Sequence, residues 1–160
     1  ASAHILVFHH EPNGPASRWA LTTVPGDEVS AQIMGGTRYR TPEPGQRMLL
    51  VGDPASAPAM VEAVNAADAT CRIVVVLQSG DDSPPLPGRE HRLIRVPPED
   101  PAALTDAVQE ALGRARPDWA WVALESAATK SIRRLVGSAG VPRRAIQAQA
   151  YWIRGRAMGT

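Results

Sequence analysis

Residues 48–51, Met-Leu-Leu-Val, form a run that is apolar at every position. A run of this kind is a strand buried on both faces, and such a strand needs helices packed on both sides of its sheet. Gly52-Asp53 breaks the run, and Ala57, Met60, Val61 and Val64 then recur at the i, i+3, i+4, i+7 spacing of a helix face. Pro58 falls in the first helical turn, where a missing N–H costs nothing.

The same alternation continues to the end of the chain. Arg72–Leu77, Arg92–Val96, Trp119–Leu124 and Ala145–Trp152 read as further strands. Asp100-Pro101 caps a helix whose apolar stripe is Leu104, Ala107, Val108, Ala111 and Leu112, with Gly113 ending it. Another helix follows Glu125-Ser126, with Ala128, Ile132, Leu135 and Val136 facing inward and Gly137 and Gly140 closing it. Strand, helix, strand, strand, helix, strand, helix, strand predicts an α/β fold with a mostly parallel sheet and flanking helices.

Ligands of such sheets bind beyond the carboxyl ends of the strands. Two segments stand at such ends: Gly52-Asp53-Pro54-Ala55-Ser56 and Leu124-Glu125-Ser126. In the first, a glycine turn running into a helix offers backbone N–H groups and the positive end of a dipole to a phosphate. The turn lacks the G-x-G-x-x-G pattern, so an ordinary strand-to-helix turn fits the same residues.

The first forty residues read differently. Ile5-Leu6-Val7-Phe8 and Val29 to Met34 suggest strands, and Pro15 opens a short helix carrying Ser17 and Trp19. That helix is either a turn anchored by Trp19 or a second anion-binding start with Ser17 as hydroxyl donor. Two strands and one helical turn are too few for an independent sheet. The expectation is the end of a barrel whose earlier strands lie outside this chain. The polar stretch from Thr37 to Gly45, holding Arg38 and Arg40, marks the boundary, giving domains 1–40 and 41–160.

Composition removes several function classes. A net charge of +1 gives no bulk attraction for nucleic acid. The single cysteine, Cys71, excludes an internal disulfide and a zinc cluster, and its place at the start of a core strand suits packing. His9 and His10 are neighbours, which a strand points to opposite faces, so no metal site is expected there with His4. No apolar run reaches the roughly 20 residues that span a bilayer, and no signal-peptide pattern is visible.

Three segments, in this order, resemble the siderophore-interacting proteins, flavin-dependent ferric-siderophore reductases of the ferredoxin-reductase-like group. They are Gly14-Pro15-Ala16-Ser17-Arg18-Trp19-Ala20, then Leu49-Leu50-Val51-Gly52-Asp53 with Ser56-Ala57-Pro58-Ala59, then Tyr151-Trp152-Ile153-Arg154-Gly155. Trp119 to Ala123 and Arg133-Arg134-Leu135 also match. The ending Ala148-Gln149-Ala150-Tyr151-Trp152 with Gly155-Arg156-Ala157-Met158-Gly159 resembles one branch of the family more closely. That branch is the cytoplasmic siderophore-interaction domain fused ahead of the membrane part of mycobacterial-type ABC importers of iron-loaded mycobactins. The resemblance covers essentially the whole chain.

The family implies a six-stranded flavin barrel, of which residues 1–40 are the end, followed by a nicotinamide domain, residues 41–160. By resemblance, Gly14, Pro15, Ala16, Ser17 and Trp19 approach the FAD pyrophosphate, and Trp152 lies near the flavin ring. Gly52, Asp53, Ser56, Glu125 and Ser126 line the cleft for NADPH or NADH. Trp119 and Trp121 are core residues. Arg38, Arg40, Arg154 and Arg156 are the candidates for attracting an anionic, mycobactin-like ferric siderophore. Electrons would pass from NAD(P)H through FAD to iron(III), which leaves as iron(II), with no side chain acting as acid or base. The membrane part of an ABC transporter is the implied partner, and the cytoplasmic face of the inner membrane the implied location. The alternative is a redox-inactive module that docks a siderophore or a transporter.

Three departures from the family pattern bear on this. The family's Arg-x-Tyr-Thr/Ser flavin motif lies upstream of these residues, so this chain alone should hold flavin poorly. Leu124 stands where the family has glycine, and is expected to crowd a nucleotide lying across that strand end. Asp53-Pro54 replaces the family's Asp-Glu.

Overall fold

The computed structural model describes residues 7, 14–30, 39–80 and 91–156. The chain divides into two compact units, Ala1–Tyr39 and Arg40–Thr160.

In the first unit the described residues form one helix, α1, Pro15–Thr22. Gly14 precedes it in extended conformation with no side-chain cap, and Pro15 opens it, as the missing N–H allows. The Thr23 hydroxyl donates to the Trp19 carbonyl oxygen at 2.8 Å and closes the last turn. Ser17 is buried, whereas Trp19 is largely exposed. The strands expected at Ile5–Phe8 and Val29–Met34 fall mostly outside the described residues, as do His4, His9, His10 and Arg38.

The second unit carries a five-stranded sheet. Its elements are β1 (Arg47–Gly52), α2 (Ala57–Ala66), β2 (Arg72–Gln78), β3 (Arg92–Val96), α3 (Pro101–Arg114), β4 (Trp119–Ala123), α4 (Ser126–Ser138) and β5 (Ile146–Ala148), with a 3-10 turn at Arg143–Ala145. The spatial order is β3-β2-β1-β4-β5. Every neighbouring pair is parallel, as the alternation of strands and helices predicted. Leu50 of β1 lies opposite Val75 of β2 and Trp121 of β4. The chain winds outward from β1 to β3, then returns to place β4 on the other side of β1. The gap between the ends of β1 and β4 is therefore the switch point of the sheet.

Leu49, Val51, Val76, Val122 and Leu124 pack with Leu104 and Val108 of α3 and Ile132 and Val136 of α4 in one core. Met60, Ala63 and Val64 of α2 are buried apart from that cluster, against β1. Both faces are covered, which is what the unbroken apolar run of β1 requires. Trp119 and Trp121 are buried, and Trp121 meets Tyr151 edge-on with ring centroids 6.0 Å apart.

Gly52 ends β1 for a steric reason. A Cβ there would collide with the Ser56 hydroxyl and the Met60 sulfur, so α2 turns back too tightly for any side chain. Three boundaries differ from expectation. Helix α3 runs one residue past Gly113, to Arg114, and α4 continues through Gly137 to Ser138. The regular part of β5 is only three residues, but Gln149 and Tyr151 still donate to the Val122 and Leu124 carbonyls at 2.9 and 3.0 Å. The chain thus follows β4 as far as a bridge between Trp152 and Glu125. Among the described residues no helix is long and apolar enough to cross a membrane.

Candidate functional site

The carboxyl end of β1 is closed by Asp53. Its Oδ1 accepts from the N–H groups of Ala55 and Ser56 at 3.0 and 3.2 Å. The Ser56 hydroxyl returns to the Asp53 backbone, accepting from its N–H at 3.0 Å and donating to its carbonyl at 3.1 Å. A short carboxylate side chain that accepts from the N–H groups two and three residues on closes the turn between β1 and α2, whose own N-cap, Ser56, makes no side-chain cap bond. Asp53 Oδ2 accepts from the indole Nε1–H of Trp152 at 2.8 Å, a contact between residues 99 positions apart. Asp53 is 5% exposed and Ser56 fully buried. Burial pushes the Asp53 carboxyl above its ordinary value, against the lowering pull of Trp152 and the Ser56, Ala55 and Glu125 backbone.

The carboxyl end of β4 is closed in a parallel way. Glu125 Oε2 accepts from the N–H groups of Ala127 and Ala128 at 2.6 and 3.3 Å, and Oε1 from that of Arg154 at 3.4 Å. The N–H of Ser126 donates to the Trp152 carbonyl and that of Thr129 to the Glu125 carbonyl, so the first turn of α4 is satisfied. Burial raises the Glu125 carboxyl, but the N–H groups of Ala127, Ala128, Arg154 and Ser126 together outweigh it and hold it below the ordinary value.

Residues 149–154 therefore form a strap over the carboxyl edge of the sheet. It runs along β4, sets Trp152 against the tip of β1, and ends with Arg154, whose Nη1 meets Glu99 Oε1 at 3.0 Å. Glu99 belongs to the turn between β3 and α3, where its φ of 60° is the left-handed region. The guanidinium of Arg154 also lies 5.9 Å from the centre of the Trp152 ring. Desolvation, with the charge of Asp53, raises the Tyr151 phenol above its usual value.

Of the residues singled out in the sequence, Gly52, Asp53, Ser56, Glu125, Ser126, Trp152 and Arg154 meet at this one edge. Of the N–H groups expected to be open to a phosphate, Asp53 takes those of Ala55 and Ser56 in the turn after β1, and Glu125 takes two in the first turn of α4. Leu124 does not crowd the cleft. Its side chain is fully buried in the core beneath α3 and α4, and Trp152 covers the switch point instead. Arg40 is not part of this edge. Its N–H donates to Gln147 Oε1 and its Nη1 to the Arg144 carbonyl, at the opposite end of β5 from Arg154. Arg156 is exposed beside the strap. Gly14, Pro15, Ala16, Ser17 and Trp19 belong to the other unit. Cys71 is buried, its Sγ 3.3 Å from the Glu43 carbonyl oxygen. Among the described residues no group of His, Cys, Asp and Glu is placed to hold a metal ion.

Sequence reading missed Thr129. Its buried hydroxyl accepts from the Leu124 N–H and donates to the Leu124 carbonyl, both at 3.1 Å, and pins α4 to the end of β4. A threonine one turn inside a helix carries no signal of that contact.

The comparisons with known proteins are consistent with one another. A family model described as siderophore-interacting protein matches residues 45–155. The mycobactin import ATP-binding/permease protein IrtA of Mycolicibacterium smegmatis is 38% identical, over 98% of this chain and 19% of the relative. The protein of the same name in Mycobacterium tuberculosis is 39% identical, over 96% of this chain and 18% of the relative. The chain thus spans about a fifth of the length of these curated relatives. Among solved structures, the siderophore-interacting protein SipS from Aeromonas hydrophila matches with a TM-score of 0.67 at 22% identity, over 92% of this chain and 60% of that one. That likeness concerns the fold.

Proposed function

This chain belongs to the siderophore-interacting protein family, and from that premise we propose that the polypeptide containing it reduces ferric siderophores in iron uptake. The siderophore is mycobactin-like, and the domain works at the cytoplasmic face of a membrane beside the permease part of an importer. The names of the relatives support this, since both are mycobactin import permeases. The observation that carries the reading is the uncapped start of α1, which follows Gly14 and opens with Pro15.

FAD, when bound, converts a two-electron donation into the single-electron steps that iron requires. The start of α1 fits a flavin pyrophosphate, because no side chain caps it and Gly14 leaves room for close approach. There Ala16 and Ser17 would present backbone N–H groups, and the remaining contacts would come from elsewhere in the protein. Iron(III) is a substrate, held by its siderophore.

The tips of β1 and β4 do not fit the phosphates of NADPH or NADH in the arrangement seen. Each is filled by a carboxylate of the chain itself, and Trp152 bridges them. The same closure favours a second reading, a redox-inactive module that docks a siderophore or the transporter.

One experiment separates the two. The longer polypeptide, loaded with FAD, is titrated with NADH and NADPH, and reduction of a ferric siderophore is followed with an iron(II) chelator. Saturable nucleotide binding with turnover supports the reductase. Siderophore binding without turnover from either nucleotide overturns it in favour of the docking module.

A further inference from the structure

The 35 residues after Glu125 hold seven cationic side chains and no aspartate or glutamate, in a chain whose net charge is only +1. Five of the seven gather on one face. Lys130, Arg133 and Arg134 lie on the exposed side of α4, and Arg143 and Arg144 on the turn before β5. Arg40 joins them through its bond to the Arg144 carbonyl, 3.2 Å long. Among the described residues none of these six enters an ion pair; the cations that do are Arg92, Arg114 and Arg154, elsewhere. A cavity of about 440 Å³ opens on this face, lined by Lys130, Arg133, Arg134 and Arg143 together with Val141 and Ile146. Arg143 and Arg144 precede β5, at the opposite end of that strand from the strap.

We propose that this face docks on an anionic membrane surface, with lipid phosphates received among Lys130, Arg133, Arg134 and Arg143. Cations gathered without acids repel one another until a field of opposite charge is brought to them. A sheet of lipid phosphates supplies such a field, and guanidinium forks match phosphate oxygens. The apolar lining from Val141 and Ile146 suits the shoulder of a lipid next to its headgroup, and has no use for a purely polar anion. The proposal rests on the importer reading, which puts the domain within reach of a bilayer.

The test is sedimentation of the chain with vesicles of phosphatidylglycerol and phosphatidylcholine, against vesicles of phosphatidylcholine alone. We expect binding only to the anionic vesicles, lost at high salt. Lys130→Gln, Arg133→Gln, Arg134→Gln and Arg143→Gln should each weaken it about five-fold, and the four together should abolish it. Arg72→Gln, on β2, should change nothing, and circular dichroism melts confirm that each variant is folded. Equal binding to both vesicle types overturns the proposal, as does a quadruple variant that binds like the parent. Release by inorganic phosphate at constant ionic strength would show a small-anion pocket, and retention on immobilised polyglutamate but not on vesicles would show a protein-docking face. Either result overturns membrane docking. Siderophore reduction by the FAD-loaded longer polypeptide, in the same preparations, keeps the two readings apart: vesicle binding without reduction leaves docking standing and removes the enzyme, and the converse removes docking alone.

Discussion

Asp53 and Glu125 both follow the end of a parallel strand, Asp53 with a turn between it and α2 and Glu125 directly ahead of α4, and the fold treats them oppositely. Each carboxylate takes two backbone N–H groups, Asp53 those of the turn that leads to α2 and Glu125 those of the first turn of α4, which it caps. Asp53 is sealed from water and carries a second duty, the indole of Trp152. Glu125 stays in reach of solvent, and its further partner is only a long contact to the Arg154 backbone. Burial wins at the first and raises the carboxyl; hydrogen bonds win at the second and lower it. The same local motif thus acts once as a long-range clasp and once as a helix cap.

The clasp should break hardest. Asp53→Ala strips the acceptor from two N–H groups of the turn, those of Ala55 and Ser56, and leaves the Trp152 N–H facing none, which should cost about 3 kcal/mol in urea unfolding. Tryptophan fluorescence should shift to the red as the strap loosens; an unshifted spectrum would mean that the strap is held without Asp53. Gly52→Ala attacks the same tip sterically. The new methyl must displace Ser56 and Met60 from their packing, a loss of about 2 kcal/mol by thermal or urea unfolding. Trp152→Phe keeps an aromatic ring but removes the donor from Asp53 Oδ2. We expect a loss of about 1.5 kcal/mol, the scale of a hydrogen bond to a charged group. If Trp152→Phe costs as much as Asp53→Ala, the clasp matters more than the turn bonds to Ala55 and Ser56.

The parts of this arrangement were unequally legible in the sequence. The strands of the sheet were readable because burial on both faces leaves an apolar run with no other explanation, as at Met48 to Val51 and Ile73 to Leu77. The stripe of α3 and its Asp100 cap were readable for the same reason: the Asp100 side chain does accept from Ala103 at 2.9 Å. The closure of the two tips was half visible. An acid just ahead of a helix, as Glu125 is, is the mark of a cap, and an aspartate after a strand-ending glycine, as Asp53 is, suits a turn, but both positions also suit a ligand site, and local sequence cannot decide between them. The clasp was invisible as a contact. Trp152 lies 99 residues from Asp53, and an indole N–H aimed at a carboxylate leaves no spacing to read. Leu124 misled for a related reason: a residue at a strand end can point either way, and which way depends on the helix that covers it.

The cap at Glu125 should give the smallest effect, and it is the one that pH can isolate. Removing it with Glu125→Ala should cost about 1 kcal/mol, the usual worth of a helix cap. Because the folded-state carboxyl is lowered from 4.5, its contribution is present above that value and is lost as pH falls through the lower folded value. Asp53 runs the other way. Its folded carboxyl is raised from 3.8, so its titration favours the fold below 3.8, and that advantage is lost as pH rises through the higher folded value. Urea midpoints measured in steps from pH 7 to pH 3 should therefore separate the two. Glu125→Gln should flatten the acid limb below 4.5, and Asp53→Asn should change the slope above 3.8 with the opposite sign. A common change of slope in both variants would mean that the two carboxylates titrate as one group across the strap rather than independently.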